Sequence, residues 1–174
     1  MIRFAEACAR AKAHIERNYG IPVVTEAVGE GFVGDLDGAG IVIDPAAGVE
    51  QRLFLQAHLF GHTVQWNTDP RAFELGQPQT PPVDEHLLPV LLEYEREAAA
   101  YGLALFAEAG IGPVEPWYSD YSACDLDYLM HYYRTGETGR FSNFWRDGRP
   151  PLALKPIPGF RPVRRVFRAA GVVI

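Results

Sequence analysis

The sequence predicts an α+β fold made of an N-terminal helix, a small three-stranded sheet, a pair of longer helices, a C-terminal helix and a basic tail. Three observations lead to this prediction. Apolar residues recur at helical spacing in residues 2–17, 49–66 and 84–110. Between them lie short runs rich in valine and isoleucine, bounded by glycine and proline. The chain has 174 residues, which is enough for one domain with a hydrophobic core.

The first predicted helix covers residues 2–17 and ends before Gly20 and Pro22. One face of this segment has the 4-3-4 spacing of a buried helical stripe. The stripe consists of Phe4, Cys8, Ala11 and Ile15.

Three strands are predicted next, in residues 23–28, 31–36 and 40–44. The dipeptide Asp37-Gly38 is typical of a tight hairpin turn, so the second and third strands should be antiparallel. A sheet this small is not stable alone and must pack on helices.

Two segments that contain several prolines, residues 67–84 and 113–121, are predicted to be loops. The long helix between them begins between Asp84 and Pro89, because proline is tolerated only in a first helical turn, and it ends at Gly110. The C-terminal helix is expected from Ser122 to about Arg134, and residues 163–174 are expected to hold one or two short strands.

The charge of the chain is divided unevenly. Residues 1–133 hold 7 Lys/Arg and 20 Asp/Glu, whereas residues 134–174 hold 9 Lys/Arg and 2 Asp/Glu. This division predicts a main domain over residues 1–133 and a basic, proline-rich extension over 134–174 packed on it. Alternatively, the extension contacts nucleic acid or an acidic protein, although the net charge of −6 disfavours a dedicated nucleic-acid binder.

Composition also predicts the compartment. Cys8 and Cys124 are too few for a disulfide framework and are expected to be buried thiols in a reducing environment. The N-terminal residues contain no signal-peptide core, and no apolar run approaches the roughly 20 residues of a membrane span. We therefore expect a cytoplasmic protein with no membrane partner.

His58 and His62 are the strongest candidates for a functional site. They lie four residues apart in a predicted helix, so both imidazoles share one face and can point at one metal ion. Zinc peptidases with the pattern H-E-x-x-H place a general-base glutamate after the first histidine. This chain has Leu59 there, and leucine can neither accept nor deliver a proton.

A third ligand is expected from the later helix, and Glu97 is the candidate. It shares a face with Tyr101 and Ala104, where a carboxylate among small and aromatic residues needs a neutralising partner. A metal ion would be such a partner.

Several separate segments together resemble the ImmA/IrrE family of zinc metallopeptidase-like proteins. They are Tyr19–Val23, Gly40–Asp44, Arg52–His62 and Glu95–Gly102, and the resemblance covers about residues 2–108. It implies a gluzincin-like helix pair in which His58, His62 and Glu97 bind zinc. Leu59 and Ala99 depart from the family pattern, which has a glutamate and commonly an asparagine at these places.

The resemblance and its departures lead to one hypothesis and three alternatives. The hypothesis is a zinc-binding, metallopeptidase-like protein with impaired or no hydrolysis, which binds a peptide or a regulatory protein. The first alternative is an active zinc endopeptidase that cleaves a regulator with a base from Glu93, Glu95 or the loop 67–84. The second is a non-enzymatic interaction module that uses the basic C-terminal segment. In the third, His58 and His62 are structural histidines without a metal.

Overall fold

The computed structural model describes residues 2–29 and 31–166, and within them it has the predicted α+β architecture. The helices and strands follow one another in the predicted order. They are α1 (Phe4–His14, continued by a π-helical turn, Ile15–Tyr19), β1 (Val23–Thr25), β2 (Gly34–Leu36), β3 (Ile41–Ile43), α2 (Val49–Thr68), α3 (Pro70–Leu75), α4 (Leu88–Glu108) and α5 (Glu115–Thr135).

The sheet has three strands in the order β1-β3-β2 and is mixed, and it contains the predicted antiparallel pairing of the second and third strands. β1 lies parallel to β3, with Val23 opposite Ile41, and β2 lies antiparallel to β3, with Gly34 opposite Ile43. The sheet packs on α2 through β2 and β3, because three short strands need a helix to cover their apolar face.

The centre of the fold is the contact between α2 and α4. Residues 53–66 of α2 are all buried, so this helix is surrounded by the rest of the protein on every side. A Cβ atom on Gly61 would lie 2.0 Å from the carbonyl oxygen of Ala98, and one on Gly102 would lie 2.8 Å from that of Ala57. Glycine at both crossing points therefore allows the two backbones to touch.

Two predictions about helix boundaries are wrong, and proline explains both. The segment 67–84 contains α3, because Pro70 occupies the first helical turn and the Asp69 side chain accepts a hydrogen bond from the Arg71 N–H. α5 begins at Glu115 rather than Ser122, with Pro116 in its first turn. Proline fits these positions because the first N–H groups of a helix have no partner within it.

The chain beyond α5 crosses the surface of the other elements in a largely extended form. We call residues 150–166 the strap. Its backbone donates hydrogen bonds to the Ser119 hydroxyl of α5, the Ala100 carbonyl of α4 and the Asn67 side chain of α2.

Three basic side chains of this region form ion pairs with carboxylates of the preceding elements. The pairs are Arg149 with Asp127, Lys155 with Glu97 and Arg164 with Asp37. Residues 163–166 form no strand, and the rest of the strands expected in 163–174 lies outside the described residues. Among the helices of the described chain, none is both long and apolar enough to cross a membrane.

Replacing Gly61 with alanine should destabilise the protein, because the new methyl group would collide with backbone rather than with a movable side chain. We expect Gly61→Ala to lower the free energy of unfolding by about 1–3 kcal/mol or more, measured by urea denaturation. Gly159→Ala is the matched control, since nothing lies within 4 Å of the added Cβ. Equal stability of the two variants would contradict the backbone contact.

Candidate metal centre

The structure brings His58, His62 and Glu95 together at the contact between α2 and α4. The Nε2 atoms of the two histidines are 3.0 Å apart, and Glu95 Oε2 lies 3.2 Å from His58 Nε2 and 3.1 Å from His62 Nε2. All three residues are buried, with at most 7% of each exposed. Two imidazoles and one carboxylate thus point at a common centre and could hold a metal ion.

Aromatic neighbours fix the orientation of both imidazole rings. Phe54, one helical turn before His58, stacks on its ring at a centroid distance of 5.2 Å. Tyr94 lies 4.5 Å from the ring of His62, and its hydroxyl accepts a hydrogen bond from Trp66. Packing on these rings limits the rotation of the imidazoles, so their donor atoms stay directed at Glu95.

The charge state of the cluster suits a cation. Burial, followed by the effect of His62, lowers the pKa of His58, so its imidazole is neutral at neutral pH. Burial alone would raise the pKa of Glu95, but the two histidines outweigh it and hold this pKa at about 2. A buried carboxylate is costly without a counter-charge, which must be a proton on an imidazole or a metal ion.

The spacing of the donor atoms is close to what a tetrahedral metal needs. At metal–ligand distances of about 2.0–2.1 Å, tetrahedral ligand atoms lie roughly 3.3 Å apart. The observed separations of 3.0–3.2 Å require an opening of only a few tenths of an ångström. The three residues therefore fit a small transition-metal ion.

The sequence-based choice of Glu97 as the third ligand is corrected to Glu95. Two residues along a helix rotate a side chain by about 200°, so Glu95 and Glu97 point in nearly opposite directions. Glu97 is partly exposed, bonds Lys155 and accepts a hydrogen bond from Gln65 Nε2 at 2.7 Å. Burial opposes ionisation of Glu97, but these hydrogen bonds lower its pKa overall.

The sequence of α4 contains a pattern that indicates Glu95, although the sequence analysis followed the helix face that holds Glu97. Leu91, Ala98 and Gly102 are buried, and Glu95 lies among them at the 4-3-4 spacing of a core stripe. Gly102 and Ala98 are also the residues that touch α2. A glutamate on that stripe must face α2, where the two histidines lie.

Leu59 packs against the sheet. It is fully buried, and its Cδ1 atom would lie 2.8 Å from a Cβ on Gly34 of β2. Hydrocarbon packed on strand backbone therefore occupies the position after His58, where the H-E-x-x-H pattern has a carboxylate. No proton can be accepted there.

A pocket of about 410 Å³ reaches the cluster from the side of α5. His58 and Glu95 lie on its wall together with Asp125 of α5 and Arg149–Ala153. Asp125 is 1% exposed, and its Oδ1 atom has no hydrogen-bond partner within residues 2–29 and 31–166. Burial, and then the negative charge of Glu95, raise the pKa of Asp125 well above its ordinary value.

Asp125 is a candidate functional residue that the sequence analysis missed. A helix that begins at Ser122 would have Asp125 in its first turn, whereas the structure has it in the middle of α5. Of the earlier candidates for a replacement base, Glu93 is exposed and Glu95 belongs to the cluster itself. No residue of the segment 67–84 lines this pocket.

Asp125→Asn should stabilise the metal-free protein at neutral pH. Because the folded pKa is raised, the acid form stabilises the fold fully below the unfolded pKa of about 3.8–3.9, and this contribution is lost as the pH rises towards the folded pKa. Asparagine keeps the shape without the charge. We expect a gain of about 1–3 kcal/mol at pH 7 that disappears near pH 3.5, measured by urea denaturation in the presence of a chelator.

Asp127→Asn is the matched control on the same helix. Asp127 is about half exposed and pairs with Arg149, so its replacement should cost at most about 1 kcal/mol and give no gain at pH 7. A stabilisation by Asp125→Asn that is the same at pH 3.5 and pH 7 would show that the carboxyl is not strained by burial.

Comparisons with known proteins add no family assignment to this geometry. No family model, no curated protein and no solved structure matches the chain. The conclusions about the site therefore rest on the residues and their arrangement.

Proposed function

We propose that the protein is a zinc-binding, metallopeptidase-like protein of the ImmA/IrrE type that binds a peptide or protein partner and has impaired or no hydrolysis. The observation that carries this proposal is the buried set of His58, His62 and Glu95 with Leu59 beside it. The ligand half of a gluzincin site is present in this arrangement, and the proton-handling half is absent. The sequence resemblance over residues 2–108 supports the family.

Zinc is the metal that suits this donor set best. Two imidazole nitrogens and one carboxylate are the ligands of catalytic zinc sites with an open fourth position, whereas calcium and magnesium prefer oxygen ligands alone. Ferrous iron also accepts two histidines and a carboxylate, so the identity of the metal needs a direct measurement. When bound, zinc would supply Lewis acidity and lower the pKa of a coordinated water.

Impaired hydrolysis is expected because leucine, not glutamate, follows His58. Leu59 is enclosed by the sheet and cannot take a proton from water or pass one to a leaving amine. The loss of a general base typically lowers the rate by a factor of about 10²–10⁴. Selection for metal binding without turnover would leave such a site.

The pocket beside the cluster supports a role in binding. Its volume of about 410 Å³ is within the range of ligand sites and accepts one or two side chains of a peptide. His58 and Glu95 lie on its wall, so a bound group would lie next to the metal. The ion pairs of Arg149, Lys155 and Arg164 with carboxylates leave fewer free positive charges for a nucleic-acid partner.

The metal proposal predicts close to one zinc per chain in protein purified without chelators. Elemental analysis by mass spectrometry measures this content. His62→Ala and Glu95→Gln should each remove most of the metal, because two ligands rarely hold zinc tightly.

His14→Ala is the control, since His14 bonds Asn18 and Glu108 on the surface and should not change the zinc content. An absence of metal from the wild-type protein, even after incubation with zinc, would leave the histidines as structural residues and refute the proposal. Iron in place of zinc would correct the metal and keep the site.

Hydrolysis with a non-standard base is a second candidate function, and Asp125 is the observation that favours it. Its buried carboxyl, whose Oδ1 atom has no hydrogen-bond partner among the described residues, lines the same pocket as His58 and Glu95. Burial, and then the charge of Glu95, raise the pKa of Asp125 well above its ordinary value, so this carboxylate binds a proton more tightly than a solvated one, as a general base must.

A peptide-cleavage assay separates the two functions. We expect the zinc-loaded wild-type protein to cleave a mixed peptide library no faster than His62→Ala does. Metal-dependent cleavage that falls by about 10²–10⁴ in Asp125→Asn would instead establish the second function. Cleavage that persists in Asp125→Asn would require another base.

A further inference from the structure

One hydrogen-bond chain leads from the metal centre to the surface. Gln65 lies one turn after His62 on α2. Its Oε1 atom accepts a hydrogen bond of 2.9 Å from His62 Nδ1. Its Nε2 atom donates to the Tyr94 carbonyl at 2.8 Å and to Glu97 Oε2 at 2.7 Å. Glu97 in turn accepts a hydrogen bond from Lys155 of the strap.

The two acceptors of Gln65 Nε2, which are the Tyr94 carbonyl and the Glu97 carboxylate, determine which group donates in each of these hydrogen bonds. A carbonyl and a carboxylate accept only, so the Gln65 atom that faces them must be the NH₂ group. The other end of the amide is therefore the oxygen, which also accepts only. His62 Nδ1 must then carry the proton that it shares with Gln65.

This assignment fixes the tautomer of His62. With the proton on Nδ1, the Nε2 atom of the neutral ring has a free lone pair, and it points at His58 and Glu95. In metal sites, a histidine usually donates its other N–H to a partner in this way, and loss of that partner weakens metal binding about 10–100-fold.

The strap end of the chain holds Glu97 in place. Lys155 bonds Glu97, lies 5.2 Å from the centre of the Tyr101 ring, and its backbone N–H donates to the Ala100 carbonyl at 3.2 Å. The side chains of Lys155 and Glu97 are 49% and 32% exposed. This series of hydrogen bonds thus begins at the surface, at Lys155, and ends at the buried imidazole of His62.

We propose that Gln65 and Glu97 are positioning residues for His62, and that docking of the strap through Lys155 raises the affinity of the site for its metal. This inference rests on the proposed metal binding. In this inference Glu97 is not a metal ligand but holds Gln65, which in turn orients His62. The strap thereby has a way to regulate the site, because undocking would release Glu97 and then Gln65.

Metal affinity in a graded set of variants tests the proposal. Zinc dissociation constants are measured on the full chain by competition with a chromophoric chelator. Gln65→Leu should weaken binding about 10–100-fold. Glu97→Gln should weaken it less, and Lys155→Met should weaken it least but measurably.

Arg164→Ala is the matched control. It breaks the ion pair of the strap with Asp37, which is not connected to the hydrogen bonds of Gln65 and Glu97. It should leave the affinity unchanged. Unfolding in chelator, measured for each variant, separates loss of metal from loss of fold. If zinc binds and the Gln65, Glu97 and Lys155 variants all match the wild type, the inference is overturned.

A second measurement does not need the metal. Nitrogen-15 chemical shifts of the imidazole in metal-free protein report which nitrogen carries the proton. We expect His62 Nδ1 to carry a proton in the wild type, whether or not Nε2 also carries one, and we expect Gln65→Leu to lose this preference for Nδ1. A wild-type ring whose only proton is on Nε2 overturns the inference even if metal binds. The expected proton on Nδ1 in a protein that binds no zinc overturns the proposed function and the effect of the strap on metal affinity, and leaves only the positioning of His62.

Discussion

The contact between α2 and α4 is the constraint on which the rest of the structure depends. Gly61 and Gly102 have no side chains, so each backbone reaches the other helix at Ala98 and Ala57. This short distance allows an imidazole from one helix and a carboxylate from the other to meet within 3.1 Å. Larger residues at either glycine would separate the helices and move Glu95 away from the histidines.

The same contact explains why polar side chains are tolerated inside this core. His58, His62, Gln65 and Glu95 are all buried, which would be costly if they lacked partners. Each is bonded to another member of the group, and Gln65 uses both ends of its amide. His58 Nδ1 is the exception within the described part of the chain, with no hydrogen-bond partner. The group behaves as one unit, in which loss of any member leaves the others unsatisfied.

The parts of this structure that follow from local patterns could be predicted from the sequence. Helical spacing gave α2 and the shared face of His58 and His62, and Asp37-Gly38 gave the turn of the mixed sheet. The third ligand was not settled this way, because Glu95 and Glu97 both fit a helix and the packing of α4 against α2 selects Glu95. Asp125 was missed for a related reason, since Pro116 was taken as a helix breaker when it lies in the first turn of α5.

The strap has a consequence for the order in which the structure forms. Its anchoring points belong to α5, α4, α2 and the turn after β2, so they exist as one surface only when those elements have assembled. Its ion pairs are largely exposed and contribute little individually. We therefore expect the strap to fold after the elements that it crosses and to open at a free energy below that of global unfolding. A protease or a competing peptide would reach the surface of α4 through such an opening while the interior stays closed.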